Sequence, residues 1–389
     1  MAHRFGQCEI DPDRRVLRKD GYDVHVEPQV FNLLLALIHA GGAVVTKDAL
    51  VETVWRGLHV SDATISSRIN AARKAVGDTG KAQAVIRTVP KVGFQLVSPV
   101  ERSDSAPKDA AASARKIRYT TSADQEPIAY AIHGHGPPLV RVGHWLSHLE
   151  MDLESPVWRP LLDRLGAAFT LYRYDQRATG LSTRSVANLT LGAFVDDLKA
   201  VMDANNLAQA PVFAASQAVP VALRFARLHP DRVSKLVLYG GYAVGRYHRD
   251  IAAGDVDEDT VLSLIRAGWG NEKSAFFKAF ASLFMPGATS AQIENFVDIQ
   301  ARSVTAENAV LLRQAIDRFN VLEDLPHIKQ PILVVHPQGD GVHPMSQGQL
   351  LASRLPNAEF RMLDSANHVP LPQDPAWADL ISSILTFCR

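Results

Sequence analysis

The sequence predicts two folded units of different class: a small α+β unit over residues 1–100 and a larger, doubly wound, mostly parallel α/β unit over residues 117–389. Three observations carry that expectation. At 389 residues the chain is too long for one ordinary core. Residues 101–116, ERSDSAPKDAAASARK, hold no aromatic or large aliphatic side chain, so they cannot offer a packed face and read as a linker. Beyond them, apolar strand-like runs at 138–142, 169–174, 211–214, 235–239, 332–336 and 359–363 alternate with helical segments. Such alternation is the pattern of a parallel sheet covered by helices on both faces.

Bulk properties narrow the function classes. A hydrophobic content of 47% with 21% charged residues is that of a globular protein. The net charge is zero, but residues 1–100 hold 13 Lys+Arg against 10 Asp+Glu, and the remainder 28 against 31. That asymmetry supports a DNA-facing first unit only mildly. The two cysteines, Cys8 and Cys388, stand at opposite ends of the sequence without a CxxC, so neither a zinc site of that type nor a disulfide framework is expected. No metal or cofactor is expected. The first residues, MAHRFGQCEI, lack an apolar signal core, and the most apolar stretch, 30–38, is too short to span a bilayer. A cytoplasmic protein with no membrane partner is the expectation.

In the second unit the strand signals stop between 242 and 322, where helical segments at 257–267, 272–283 and 291–304 follow in series. An insertion of that kind between two sheet strands suits a helical cap over a site. Trp269, Phe276, Phe277 and Phe280 in it suggest a hydrophobic or acyl ligand, or simply a core.

In the first unit, Ser61 is placed to cap a helix that buries Ile65, Ile69, Ala72 and Val76 and is closed by Gly77. Its other faces carry Thr64, Ser67, Arg68, Asn70, Ala71, Arg73 and Lys74, short and basic residues suited to base edges and phosphates. Two strand runs, 85–89 and 93–97, form a hairpin that presents Arg87 and Lys91. VSDATISSRINAARKAVGD followed by IRTVPKVGFQLV resembles the recognition helix and wing of the OmpR/PhoB-type winged helix, and EPQVFNLLLALIHAGGAVVTKDALVETVW resembles that family's first two helices. The resemblance implies promoter double-stranded DNA as partner and a homodimer on paired half-sites, joined through the second unit. No phosphoacceptor domain precedes the match in this sequence, so the signal is expected to enter through the second unit.

VFAASQAVPVALRFARLHP reads as strand, sharp turn and helix, with Ser216 at the turn and Ala214 and Ala218 where glycines are usual. Asp340 follows the run 332–336, and His368 lies just after the next strand, giving the order nucleophile, acid, base. YRYDQRATGLST, with Ala178 in place of a glycine, and PDRVSKLVLYGG complete a resemblance to the α/β-hydrolase fold over residues 117–389. It implies catalytic roles for Ser216, Asp340 and His368. In RVGHWLSHLEMDLESPVW the amide of Trp145 is implied as an oxyanion donor beside that of Gln217. His144, Trp145, Tyr242 and His343 are candidate pocket residues. His133 and His135 read as residues of a Gly-Pro turn, and Arg246, His248 and Arg249 as a solvated run. Two functions stay open for this unit: a serine hydrolase acting on an ester, lactone, thioester or amide, or a silent receptor whose ligand biases DNA binding.

Overall fold

A computed structural model describes residues 2–12, 15–19, 22–24, 26–55, 60–103, 116–249, 258–269 and 275–389. It divides into two compact units, Met1–Lys108 and Asp109–Arg389. Most of the expected linker, 104–115, lies outside the described residues, as do residue 257, residue 272 and the side chain of Phe276. Residues 101–103 belong to the first unit instead: Val100–Ser103 is a strand paired antiparallel to Ala2–Phe5.

The first unit opens with strands β1 (Ala2–Phe5), β2 (Cys8–Asp11), β3 (Val16–Lys19) and β4 (Tyr22–Val24), which form an antiparallel sheet with Val100–Ser103 added beside β1. Helices α1 (Pro28–His39), α2 (Lys47–Trp55) and α3 (Asp62–Val76) follow, interrupted by the short β5 (Val45–Thr46). A hairpin of β6 (Ile86–Val89) and β7 (Gly93–Leu96) pairs with β5 through β7, and Val100–Ser103 is β8. Ser61 caps α3 as expected: its hydroxyl accepts from the Thr64 amide, and Gly77 closes the helix at φ 75°. The buried stripe of Ile65, Ile69, Ala72 and Val76 packs with Leu33, Leu34, Leu37 and Leu50, each Ile, Leu or Val side chain contributing ~1.5–3 kcal/mol.

The second unit contains β9 (Arg118–Thr121), β10 (Pro127–Gly134), β11 (Pro138–Arg141), α4 (Arg159–Gly166), β12 (Thr170–Tyr174), α5 (Leu191–Ala204), β13 (Ala210–Ala215), α6 (Ala218–Leu228) and β14 (Val233–Tyr239). Then come α7 (Glu258–Gly268), α8 (Ala275–Phe284), α9 (Ser290–Ser303) and α10 (Ala306–Asp317), the expected helical insertion. The unit ends with β15 (Ile332–Pro337), α11 (Met345–Arg354), β16 (Ala358–Leu363) and α12 (Trp377–Cys388). The eight strands are ordered β16-β15-β14-β13-β11-β12-β10-β9, parallel from β12 to β16, with β10 antiparallel to both its neighbours. His133 therefore lies on strand β10, not in a turn; its ring is buried and its Nδ1 accepts from Arg173 Nε. Ser216, Asp340 and His368 all follow carboxyl ends of β13, β15 and β16, where a parallel sheet gathers its loops. Among the described residues no helix is long and apolar enough to cross a membrane.

Candidate functional site

On the first unit, the outward surface of α3 and the β6–β7 turn keep most of the expected residues accessible. Ser67, Asn70, Lys74, Arg87 and Lys91 are exposed, while Thr64 and Ala71 are half-buried. Lys91 sits at φ 62°, a left-handed position at the tip of the hairpin. Gly93 lies so close to the Val45 carbonyl that a Cβ would collide with it, which keeps β5 against the hairpin.

Two basic residues depart from expectation. Arg68 is half-buried and turned back on the unit, ion-paired to Glu27 at 2.7 Å and donating to Gln29 Oε1. Arg73 is 6% exposed and does not belong to the outer surface. Its Nε and Nη2 donate to the Ile86 carbonyl at 3.1 and 2.9 Å, and Nη2 also donates to Thr88 Oγ1 at 2.8 Å. It follows Ile69 by four residues, so helical geometry turns it inward, where it ties α3 to β6.

In the second unit, β13 ends in a sharp turn. Ser216 adopts φ 56°, a left-handed conformation unusual for a residue with a Cβ, and Ala214 and Ala218 around it have no exposed surface. Alanine is small enough to leave the turn intact. Ala178 makes the same accommodation at φ 67°. Gln217 stands immediately before α6, its side chain donating to Gln176 Oε1 at 2.9 Å.

Asp340 Oδ2 accepts from His368 Nδ1 at 2.7 Å, and its Oδ1 accepts from the amides of Val342 and His343. Burial alone would raise the Asp340 carboxyl, but His368 and those two amides hold it below the ordinary carboxylate value. The carboxylate thus favours the His368 tautomer with its proton on Nδ1 and leaves Nε2 with its lone pair. Gly240, at φ 53°, passes so near that a Cβ would stand 3.3 Å from both Asp340 Oδ2 and His368 Nδ1.

Among the described residues the hydrogen-bond partner of the Ser216 hydroxyl is His343 Nε2, at 3.4 Å. The His343 ring packs tilted against Tyr242, centroids 4.6 Å apart, and edge-on against His368 at 5.3 Å, and burial holds it well below the ordinary histidine value. Tyr242 is buried behind it, its hydroxyl donating to the Ile316 carbonyl. His343 thus touches both the serine and the ring of His368 in this conformation.

A cavity beside Ser216 is lined by His144, Trp145, Trp158, Tyr239, Phe284 and His368, among others, with Phe284 and Phe296 contributed by the helical insertion. It holds about 30 Å³, room for a water or two. His144 and Trp145 are wall residues as expected; Tyr242 and His343 are not among the residues that line it. His144 is pushed down to about 4, chiefly by burial and then by Arg141. Arg141 was missed as a wall residue. Its one signal was a lone charge inside the apolar run 138–142.

The comparisons with known proteins agree with the fold of each unit. The model of "Transcriptional regulatory protein, C terminal" matches residues 21–96, and that of "alpha/beta hydrolase fold" matches residues 149–375. "Putative carbamate hydrolase RutD" of Caulobacter vibrioides (strain NA1000 / CB15N) is 29% identical over 265 residues, covering 67% of this chain and 95% of that protein. "Transcriptional activator CadC" of Escherichia coli (strain K12) is 30% identical over 98 residues, 25% of this chain and 19% of that protein. Among solved structures, a hydrolase from Pseudomonas aeruginosa PA01 matches with a TM-score of 0.58 at 21% identity, over 70% of this chain and 98% of its own. That last likeness shows the fold alone.

Proposed function

The chain belongs to the α/β-hydrolase fold family and carries a transcriptional-regulator DNA-binding domain ahead of that fold, and from this premise we propose that it is a regulator whose hydrolase unit binds, and turns over, a small acyl ligand. The observation that carries the chemical half is the Asp340–His368 pair at 2.7 Å beside a serine held at φ 56°. In this reading Ser216 Oγ attacks the acyl carbon while its proton passes to His368 Nε2. The oxyanion is received by the amides of Gln217 and Trp145. His368 then protonates the leaving group, and water, deprotonated by His368, releases the acid and restores the serine. The carbamate, ester and lactone classes all fit this sequence of steps.

His343 is not the base in this scheme. Among the described residues no carboxylate orients its ring and its buried Nδ1 has no hydrogen-bond partner, and its proton affinity is suppressed. The 3.4 Å contact with Ser216 does favour a second reading, a receptor whose serine is parked away from the pair. Intact-mass spectrometry after exposure to a fluorophosphonate separates the two. A stoichiometric adduct on the wild type, absent from Ser216→Ala and His368→Ala but retained in His343→Phe, is the expected result. A folded wild type without adduct establishes the receptor.

DNA binding is proposed to use Ser67, Asn70, Lys74, Arg87 and Lys91, with two copies of the chain on paired half-sites. Light scattering in the presence of promoter DNA should show a dimer; a monomer at micromolar protein removes that part of the reading.

A further inference from the structure

We propose that the cavity beside Ser216 carries a carboxylate-binding subsite built on Arg141, so that its ligand is a short acyl compound with an apolar body and an anionic end. The inference deepens the ligand-site reading above and rests on it. Arg141 and Arg173 stand directly opposite each other on the parallel strands β11 and β12, two guanidinium groups in register within a sheet. Like charges so placed repel unless something stands between them. Both are buried, at 5% and 1% exposed.

The compensation inside the protein is incomplete. Arg141 Nη1 and Arg173 Nη1 each lie 3.9 Å from the same oxygen, Asp152 Oδ2, and His144 Nε2 lies 3.7 Å from it. Asp175, the other carboxyl nearby, is raised by burial and already accepts from Ser147 Oγ and from the amides of Leu149 and Leu181. Arg173 spends Nε on His133 Nδ1 and Nη2 on the Leu149 carbonyl. Arg141 donates no side-chain hydrogen bond among the described residues, yet it lines the cavity. Burial lowers it to about 10, which leaves it charged at neutral pH.

A guanidinium left almost without solvent and without hydrogen-bond partners is a destabilised charge. A carboxylate from the ligand would supply the missing acceptors through two parallel N–H···O bonds. The guanidinium carbon lies over the ring of Trp158, 5.3 Å from its centroid, a cation–π contact that supplies no hydrogen-bond acceptor. Trp145 adds an indole Nε1–H that is buried without a partner in the same wall. Leu161, Phe213, Phe284 and Phe296 supply apolar surface for the body of the ligand.

The test uses the full-length Ser216→Ala protein, so that it is independent of whether the serine reacts, and compares pentanoate with pentanamide by titration calorimetry. Pentanoate should bind about tenfold more tightly than the isosteric amide. Arg141→Met in the same background should abolish that preference while leaving the weak amide binding in place, and Arg141→Lys should keep part of it. Equal binding of the two probes, no binding of pentanoate, or a preference that survives Arg141→Met would overturn the proposal. Should Arg141→Met not fold, the Lys variant and the parent comparison decide. A pentanoate preference in a protein that takes no fluorophosphonate would leave the subsite standing and remove only turnover.

Discussion

Arg73 in the DNA-binding unit and Arg141 in the hydrolase unit are shielded from solvent to nearly the same degree, at 6% and 5% exposed. Their surroundings differ in one respect. Arg73 spends its fork on a backbone carbonyl and a threonine hydroxyl, whereas Arg141 faces a single carboxylate at 3.9 Å. Arg177 in the hydrolase unit resembles Arg73: two aspartates, a serine and a carbonyl take up its donors. Burial alone therefore does not separate an arginine that holds a fold together from one that awaits a ligand. The count of acceptors does.

The largest expected effect tests the saturated side of that contrast. Arg73→Met leaves the Ile86 carbonyl and Thr88 hydroxyl unanswered and should destabilise the first unit by about 3 kcal/mol, read by chemical denaturation. Weakened DNA binding in this variant should then track unfolding; a fully stable Arg73→Met protein with lost DNA affinity would return Arg73 to the DNA surface. Arg141→Met should cost far less, about 1 kcal/mol, because it also removes a desolvated charge.

A second saturated group gives a pH signature. Asp78 accepts from the amides of Thr79, Ala84, Val85 and Ile86. Burial alone would raise its carboxyl, and those four amides together hold it below the ordinary value of 3.8. A carboxyl depressed on folding contributes stability that is fully present above that ordinary value and is lost as pH falls through the folded one. Melting of the first unit should soften below about pH 4 for that reason, and Asp78→Asn should flatten the acid limb at the cost of lower stability at neutral pH.

The smallest effects are expected on the exposed basic residues. Lys74→Ala and Lys91→Ala should each weaken promoter binding several-fold in fluorescence anisotropy and reduce the salt slope by about one. An unchanged slope in both would remove them from the interface.

The sequence was most legible where local spacing carries the information. The cap of α3, the six strand runs and the order Ser216, Asp340, His368 all follow from neighbouring residues or from the ends of strands. Arg73 was misread because its charge outweighed its place, four residues after Ile69 on the buried stripe. Residues 101–103 of the strand Val100–Ser103 were taken for linker because edge pairing to β1 is made by the backbone and needs no apolar pattern. Arg141 and Arg173 are 32 positions apart in the numbering, and only strand register sets them opposite one another. The contact of His343 with Ser216 likewise depends on how a loop returns to the sheet.

The cavity's 30 Å³ has a consequence for signalling. An acyl compound cannot enter without displacing the aromatic side chains that the helical insertion lays over Ser216. Part of every binding event is then spent on opening, and if one molecule in a hundred is open at rest, the apparent affinity falls by about a hundredfold. On the proposed function, the threshold of the regulator would be set by its own packing, with Phe284 and Phe296 deciding how much ligand must accumulate before it responds.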